Sequence, residues 1–195
     1  MLRRSRGRAY RVAARRTFDV RVHASRPRLG PMVTIAPYIS QYRADLLALS
    51  LRAWEPVFPM VHSAVPSFVY DCFYPSGWQA RQYDDLALVL DGEPENVDVA
   101  LDGDSPIGWV CTRLHPEDDM GEVYVLVVDP ARQRDGIGRA LMNGSFERVK
   151  AAGLRMIMVE TGDDPGHAPA RAAYEASGFQ RWPVARYFKD LAEGS

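Results

Sequence analysis

The chain has 195 residues, 47% of them hydrophobic and 25% charged, which suits one globular domain with a core of ordinary size. No run approaches 18 apolar residues and the two cysteines, Cys72 and Cys111, stand alone, which excludes a transmembrane helix and a disulfide framework. The net charge of −1 hides a split: residues 1–31 carry ten Arg against Asp19, a balance of +9, and the remainder carries 14 basic against 24 acidic residues, a balance of −10.

Residues 1–31 lack apolar periodicity, so a disordered basic arm is expected there. Such an arm fits nucleic acid, a membrane surface or an organelle transit segment. Met32 directly precedes the strand-like Val33-Thr34-Ile35-Ala36, so a domain over 32–195 reads as complete, with the arm upstream of a natural start at Met32. The acidic remainder would repel phosphates, which argues against nucleic acid as a partner unless the arm is native. It suits cationic acceptors, and amines are cations at neutral pH. The scattered histidines give no metal-ligand set, so no metal is expected. The isolated cysteines point to a reducing, cytoplasmic setting.

A strand over 32–38 comes first, followed by a helix over about 41–54 that Ser40 can cap, with Leu46, Leu47, Leu49, Leu51 and Trp54 supplying its apolar face. Residues 55–78 are dense in aromatics and prolines. A helix over roughly 77–90 leads to a hairpin of Val97–Leu101 and Ile107–Leu114 across Asp102-Gly103-Asp104. Glu122–Val128 reads as a central strand covered on both faces, and 136–152 as a helix stopped near Gly153. A buried strand over 154–159 and a helix over 168–177, capped by Gly178, follow. Strand-like segments broken at Pro183 close the chain over 179–189. Antiparallel strands first and strand–helix units later make the fold class α+β.

The junction from Val125 to Leu141 is the most informative stretch. A buried strand runs into a basic turn with Gly136 and Gly138, and a helix opens at once. Backbone N–H groups and the positive end of a helix dipole then converge on one small volume, which suits a diphosphate. A nucleotide P-loop needs four residues between its glycines and a following Lys, and a dinucleotide fingerprint needs a third glycine where Leu141 stands. What remains is Gln133-x-x-Gly136-x-Gly138, which resembles the acyl-CoA pyrophosphate loop of the GNAT superfamily of N-acetyltransferases. Ala170, Tyr174, Glu175, Gly178 and Phe179 also fall in register with the superfamily's second conserved helix, 34 residues on from Gly136 to Ala170.

The resemblance spans Met32 to about Leu191. It implies a mixed, mostly antiparallel central sheet flanked by helices, with strands splayed at an acyl-CoA cleft. It implies acetyl-CoA as acyl donor and an amine as acceptor. The cofactor loop would be Arg134, Asp135, Gly136, Ile137, Gly138 and Arg139. A backbone N–H within Leu126, Val127 and Val128 would serve the oxyanion. Glu122, eleven residues before Gln133, matches the position of the general base in many relatives. Glu160, after the next strand, matches an alternative base, and Tyr174 matches the general acid toward the thiolate. His167 stands where relatives usually carry an Asn that bonds the pantetheine arm.

Transfer to a small cationic amine is the reading the acidic domain favours. A protein or peptide amine is the alternative, and a non-catalytic acyl-CoA sensor is a third. Residues 54–78, whose aromatics could cage an ammonium group or simply pack as core, are expected to set substrate choice. Monomer and homodimer both remain open.

Overall fold

The computed structural model describes residues 33–192, so the expectation for the basic arm lies outside the described residues. Five strands form one sheet in the order β1 (Val33–Pro37), β2 (Val97–Asp102), β3 (Ser105–His115), β4 (Met120–Val128) and β5 (Met156–Val159). The first four pair antiparallel, and β5 joins β4 in parallel. Helices α1 (Arg43–Trp54), α2 (Phe58–Ala64), α3 (Ser67–Phe73) and α4 (Trp78–Gly92) connect β1 to β2. Helix α5 (Ile137–Ala151) bridges β4 and β5, and α6 (Ala168–Ala176) follows β5.

Strand alternation sends side chains to two separate cores. On one face Leu46, Leu47 and Leu49 of α1 and Leu86, Val89 and Leu90 of α4 cover Val97, Val99, Trp109 and Cys111. On the other, Ile137 and Leu141 of α5 cover Ala100, Ile107, Val110 and Val123. Each layer buries one polar bridge. Trp109 Nε1 donates to Ser50 Oγ at 2.9 Å, and Thr112 Oγ1 donates to Ser145 Oγ at 2.8 Å. Each serine also donates to a carbonyl one turn back, so neither polar pair is stranded in the core.

A bulge in β4 decides which residues face which layer. Thr112 pairs with Val123 and Cys111 with Val125, leaving Tyr124 as the extra residue. Val123 therefore faces α5, whereas Val125 and Val127 join the α1/α4 core.

Two glycines end helices as expected. After α5, Gly153 (φ 76°) and Leu154 donate to the carbonyls of Lys150 and Val149; after α6, Gly178 (φ 91°) and Phe179 donate to those of Glu175 and Tyr174. Both are Schellman closures, which require a left-handed residue that glycine adopts freely.

Two expectations are corrected. The strand over 154–159 is not buried: it shortens to Met156–Val159 and lies at the sheet edge with Met156 and Met158 exposed. Residues 179–189 form no strand. Pro183 lacks an N–H to donate, and Arg181 and Arg186 are held by Asp163 and Glu160 at 2.8 and 2.7 Å, at the end of β5 instead of along it. No helix among the described residues is long and apolar enough to cross a membrane.

Candidate active site

The parallel ladder between β4 and β5 runs from Met120↔Met156 to Val123↔Val159 and stops, while β4 continues to Val128. The two strands thus part at Tyr124, which opens a cleft along one edge of β4. Asp129 N–H donates across the sheet to Ile107 C=O at 2.9 Å. Antiparallel alternation then directs the N–H and C=O of Val127 toward β3, and those of Leu126 and Val128 into the cleft.

At the head of this cleft the chain turns into α5. Gly136 adopts φ 83° as the residue before the helix, and Arg134 also sits at positive φ, 71°. The amides of Ile137, Gly138 and Arg139 belong to the first helical turn and have no intrahelical acceptor. A Cβ at Gly138 would touch only Val128 Cγ2, at 3.6 Å, so packing does not demand glycine there. Of the three arginines, Arg132 is committed to Asp102 and Asp135, tying the loop to the β2–β3 hairpin. Arg134 and Arg139 are exposed and form no ion pair among the described residues. Asp135 is exposed beside them.

Glu122 lies on the α1/α4 side of the sheet, three residues below Val125, and is half-buried. Its Oε2 is 2.9 Å from Nε2 of His115, the last residue of β3. Beside this pair, Arg113 stacks its guanidinium 3.3 Å from the centre of the Tyr124 ring and makes a two-pronged bond to Glu93. That contact holds the Glu93 carboxyl below the ordinary carboxylate range. His115 escaped the sequence reading because only the β3–β4 register brings it to Glu122.

Glu160 follows β5 but is exposed and paired with Arg186. Arg171 donates to the carbonyls of Gly162 and Asp164, bracing the turn before α6. His167 Nδ1 lies 2.7 Å from Asp164 Oδ2, which commits one ring nitrogen and leaves Nε2 available. Burial pushes the Asp164 carboxyl up, but the His167 bond, the His167 charge and two backbone hydrogen bonds together bring it below the ordinary range. Tyr174 packs its ring on Phe179, which in turn meets Phe146 of α5, and burial raises its hydroxyl pKa.

The aromatics of 54–78 pack on one another. Phe58 stacks on Trp78 at 4.3 Å and meets Tyr74 edge-on at 5.3 Å, while Tyr70 contacts both His62 and Tyr74. Within it Phe58 is buried, Tyr70, Tyr74 and Trp78 are half-buried, and Phe73 is exposed with the Arg81 guanidinium 5.4 Å from its ring centre.

The family profile for the acetyltransferase (GNAT) family matches residues 64–179, more than half the sequence. The chain belongs to this family. Among curated proteins, a mycothiol acetyltransferase of Geodermatophilus obscurus is 37% identical over 97 residues, which is 47% of this chain and 31% of that protein. One of Actinosynnema mirum is 40% identical over 85 residues, or 43% of this chain and 28% of its relative. The chain thus matches about a third of the length of these relatives.

Among solved structures, the PaiA N-acetyltransferase of Thermoplasma acidophilum, in complex with coenzyme A, superposes with a TM-score of 0.62 at 14% identity, covering 78% of this chain and 92% of that one. The ribosomal-protein-S18-alanine N-acetyltransferase of Escherichia coli gives 0.55 at 20% identity, covering 83% and 86%. These likenesses establish the GNAT fold, and members of the family use acetyl-CoA as acyl donor.

Proposed function

We propose that this GNAT domain transfers an acetyl group from acetyl-CoA to the primary amine of a small cationic acceptor by direct attack. One observation carries the reading. The strand edge freed at Tyr124 leads straight to the Gly136–Arg139 turn, so a thioester laid along β4 would set its diphosphate against first-turn amides. Arg134 and Arg139 supply the accompanying positive charge.

Three chemical demands follow. A free alkylamine with a pKa of ~10.4 is neutral in only about one molecule in 2,500 at pH 7, a deficit of ~4–5 kcal/mol. Glu122, half-buried on the α1/α4 side of the sheet, is the carboxylate proposed to remove that proton, directly or through water. Glu160, paired with Arg186 in solvent, is the weaker choice. The oxyanion is met by the N–H of Leu126 or Val128, a preorganised donor typically worth ~2.7–4 kcal/mol in the transition state. Tyr174, a phenol protonated at neutral pH whose pKa burial raises further, donates a proton to the departing thiolate. His167 Nε2 is left to bond the pantetheine arm.

The acidic character of the chain beyond residue 31 favours cationic acceptors. The amine acceptor of the mycothiol acetyltransferases belongs in the test panel beside small amines and a peptide with a free α-amino group. Thiol release from acetyl-CoA in the presence of each amine tests the proposal. Turnover with at least one amine, reduced ~10²-fold or more in Glu122→Gln, supports it. Acetyl-CoA binding with no turnover on any amine would instead make the domain an acyl-CoA sensor.

A further inference from the structure

We infer that His115 is a proton-relay and positioning residue for Glu122, delivering to solvent the proton that Glu122 takes from the acceptor. The inference rests on the reading of Glu122 as base. An ammonium acceptor loses two protons on becoming an amide: the N–C bond forms, the C–S bond breaks, one proton ends on the coenzyme sulfur, and the other must leave. Glu122 therefore has to be returned to its carboxylate form in every cycle.

The residues around it form a graded path. Side-chain exposure rises from 17% at Glu122 to 30% at His115 and 70% at Glu117. Glu122 Oε2 lies 2.9 Å from His115 Nε2, and His115 Nδ1 lies 3.8 Å from Glu117 Oε1. A proton leaving the Glu122 carboxyl crosses the 2.9 Å contact to Nε2 of the imidazole. The imidazolium so formed releases its Nδ1 proton toward Glu117 or water at the exposed edge, and exchange of the remaining proton from Nε2 to Nδ1 through solvent frees Nε2 for the next cycle.

The other charges on this face are accounted for. Arg113, two residues earlier on β3, is neutralised by Glu93 and lies over Tyr124 of β4. Asp119, beyond the turn, accepts from the Arg155 amide. His115 is thus the titratable side chain in contact with Glu122 among the described residues, and the 2.9 Å contact between them also fixes the carboxyl group's orientation.

The test uses the full chain, acetyl-CoA and the amine panel. His115→Gln keeps a hydrogen-bonding side chain but cannot carry a proton. It is expected to lower kcat about 10-fold or more, the low end of acid–base contributions, with KM for acetyl-CoA and the thermal midpoint unchanged. Added imidazole should restore part of the rate, and the alkaline and acid limbs of the kcat–pH profile should shift from those of the unaltered chain. Glu117→Gln should produce a smaller loss.

Unaltered kcat and pH profile in His115→Gln, with Glu122→Gln inactive, would overturn the relay and leave the base assignment standing. Loss of activity without imidazole rescue, accompanied by a lowered thermal midpoint, would likewise overturn it in favour of a purely structural pair. Full activity in Glu122→Gln, or no turnover on any amine, would overturn the reading beneath it and the relay together.

Discussion

Val123 and Val159 form the last rung between β4 and β5. The next residue, Tyr124, is the bulged one, so the ladder ends where β4 also exchanges its two faces. A single irregularity thereby does two things. It ends pairing with β5, and it turns Leu126 and Val128 so that their backbone groups line the cleft while Val125 and Val127 stay in the core.

Gly121 lies two residues below that rung, facing α5. A Cβ there would stand 2.1 Å from Val149 Cγ2. Gly121→Ala is therefore expected to cost about 1–3 kcal/mol by overpacking. Gly121→Ala combined with Val149→Ala should recover a measurable part of the loss. Urea unfolding of the single and double variants checks the coupling, and strictly additive losses would argue against this contact.

Glu93 makes a pH-dependent contribution. Arg113 holds its carboxyl below the ordinary value, so the stability it adds is fully present above the unfolded value of ~4.3 and drains away as pH falls through the lower folded value. Glu93→Gln should cost about 1–3 kcal/mol at pH 7, because Arg113 loses its charged partner. The difference between the two proteins should shrink below pH 4. Chemical unfolding at pH 7 and at pH 3.5 reads this directly.

Much of the backbone around the candidate site was legible in the sequence because glycine marks backbone shape. Gly136 marked the loop, Gly153 and Gly178 the helix ends, and Gly103, at φ 60°, the hairpin turn. Pairing was not legible. The His115–Glu122 contact depends on register, and the bulge at Tyr124 leaves no mark in an almost uniformly apolar run. The closing segment misled for a related reason: its strand-like pattern includes Trp182, Val184 and Tyr187, yet these stay exposed, pairing with no strand, and Arg181 and Arg186 meet Asp163 and Glu160 in solvent.

Tyr174 offers a test of the leaving-group step. Burial raises its hydroxyl pKa, so the phenol remains protonated well into alkaline solution. Tyr174→Phe should lower kcat roughly 10- to 100-fold while leaving KM for acetyl-CoA nearly unchanged, since the ring and its contact with Phe179 are retained. Steady-state kinetics of the variant provide the check, and an unchanged kcat would remove Tyr174 from the reaction.

The Gly136–Arg139 turn bears the most weight, and Gly138→Ala isolates it. The added methyl meets only ordinary contact with Val128 and removes a glycine from a helix, so stability should hold or rise, by up to ~1 kcal/mol. Helical Cβ atoms lean toward the N-terminus, so the same methyl would stand against a bound diphosphate. Calorimetric titration of acetyl-CoA into the unaltered chain and Gly138→Ala is the direct measurement. The account predicts saturable binding to the first and at least ~10-fold weaker binding to the second, about 1.4 kcal/mol, with no fall in thermal midpoint. Equal affinity in the two proteins, or no binding to the unaltered chain, would contradict it.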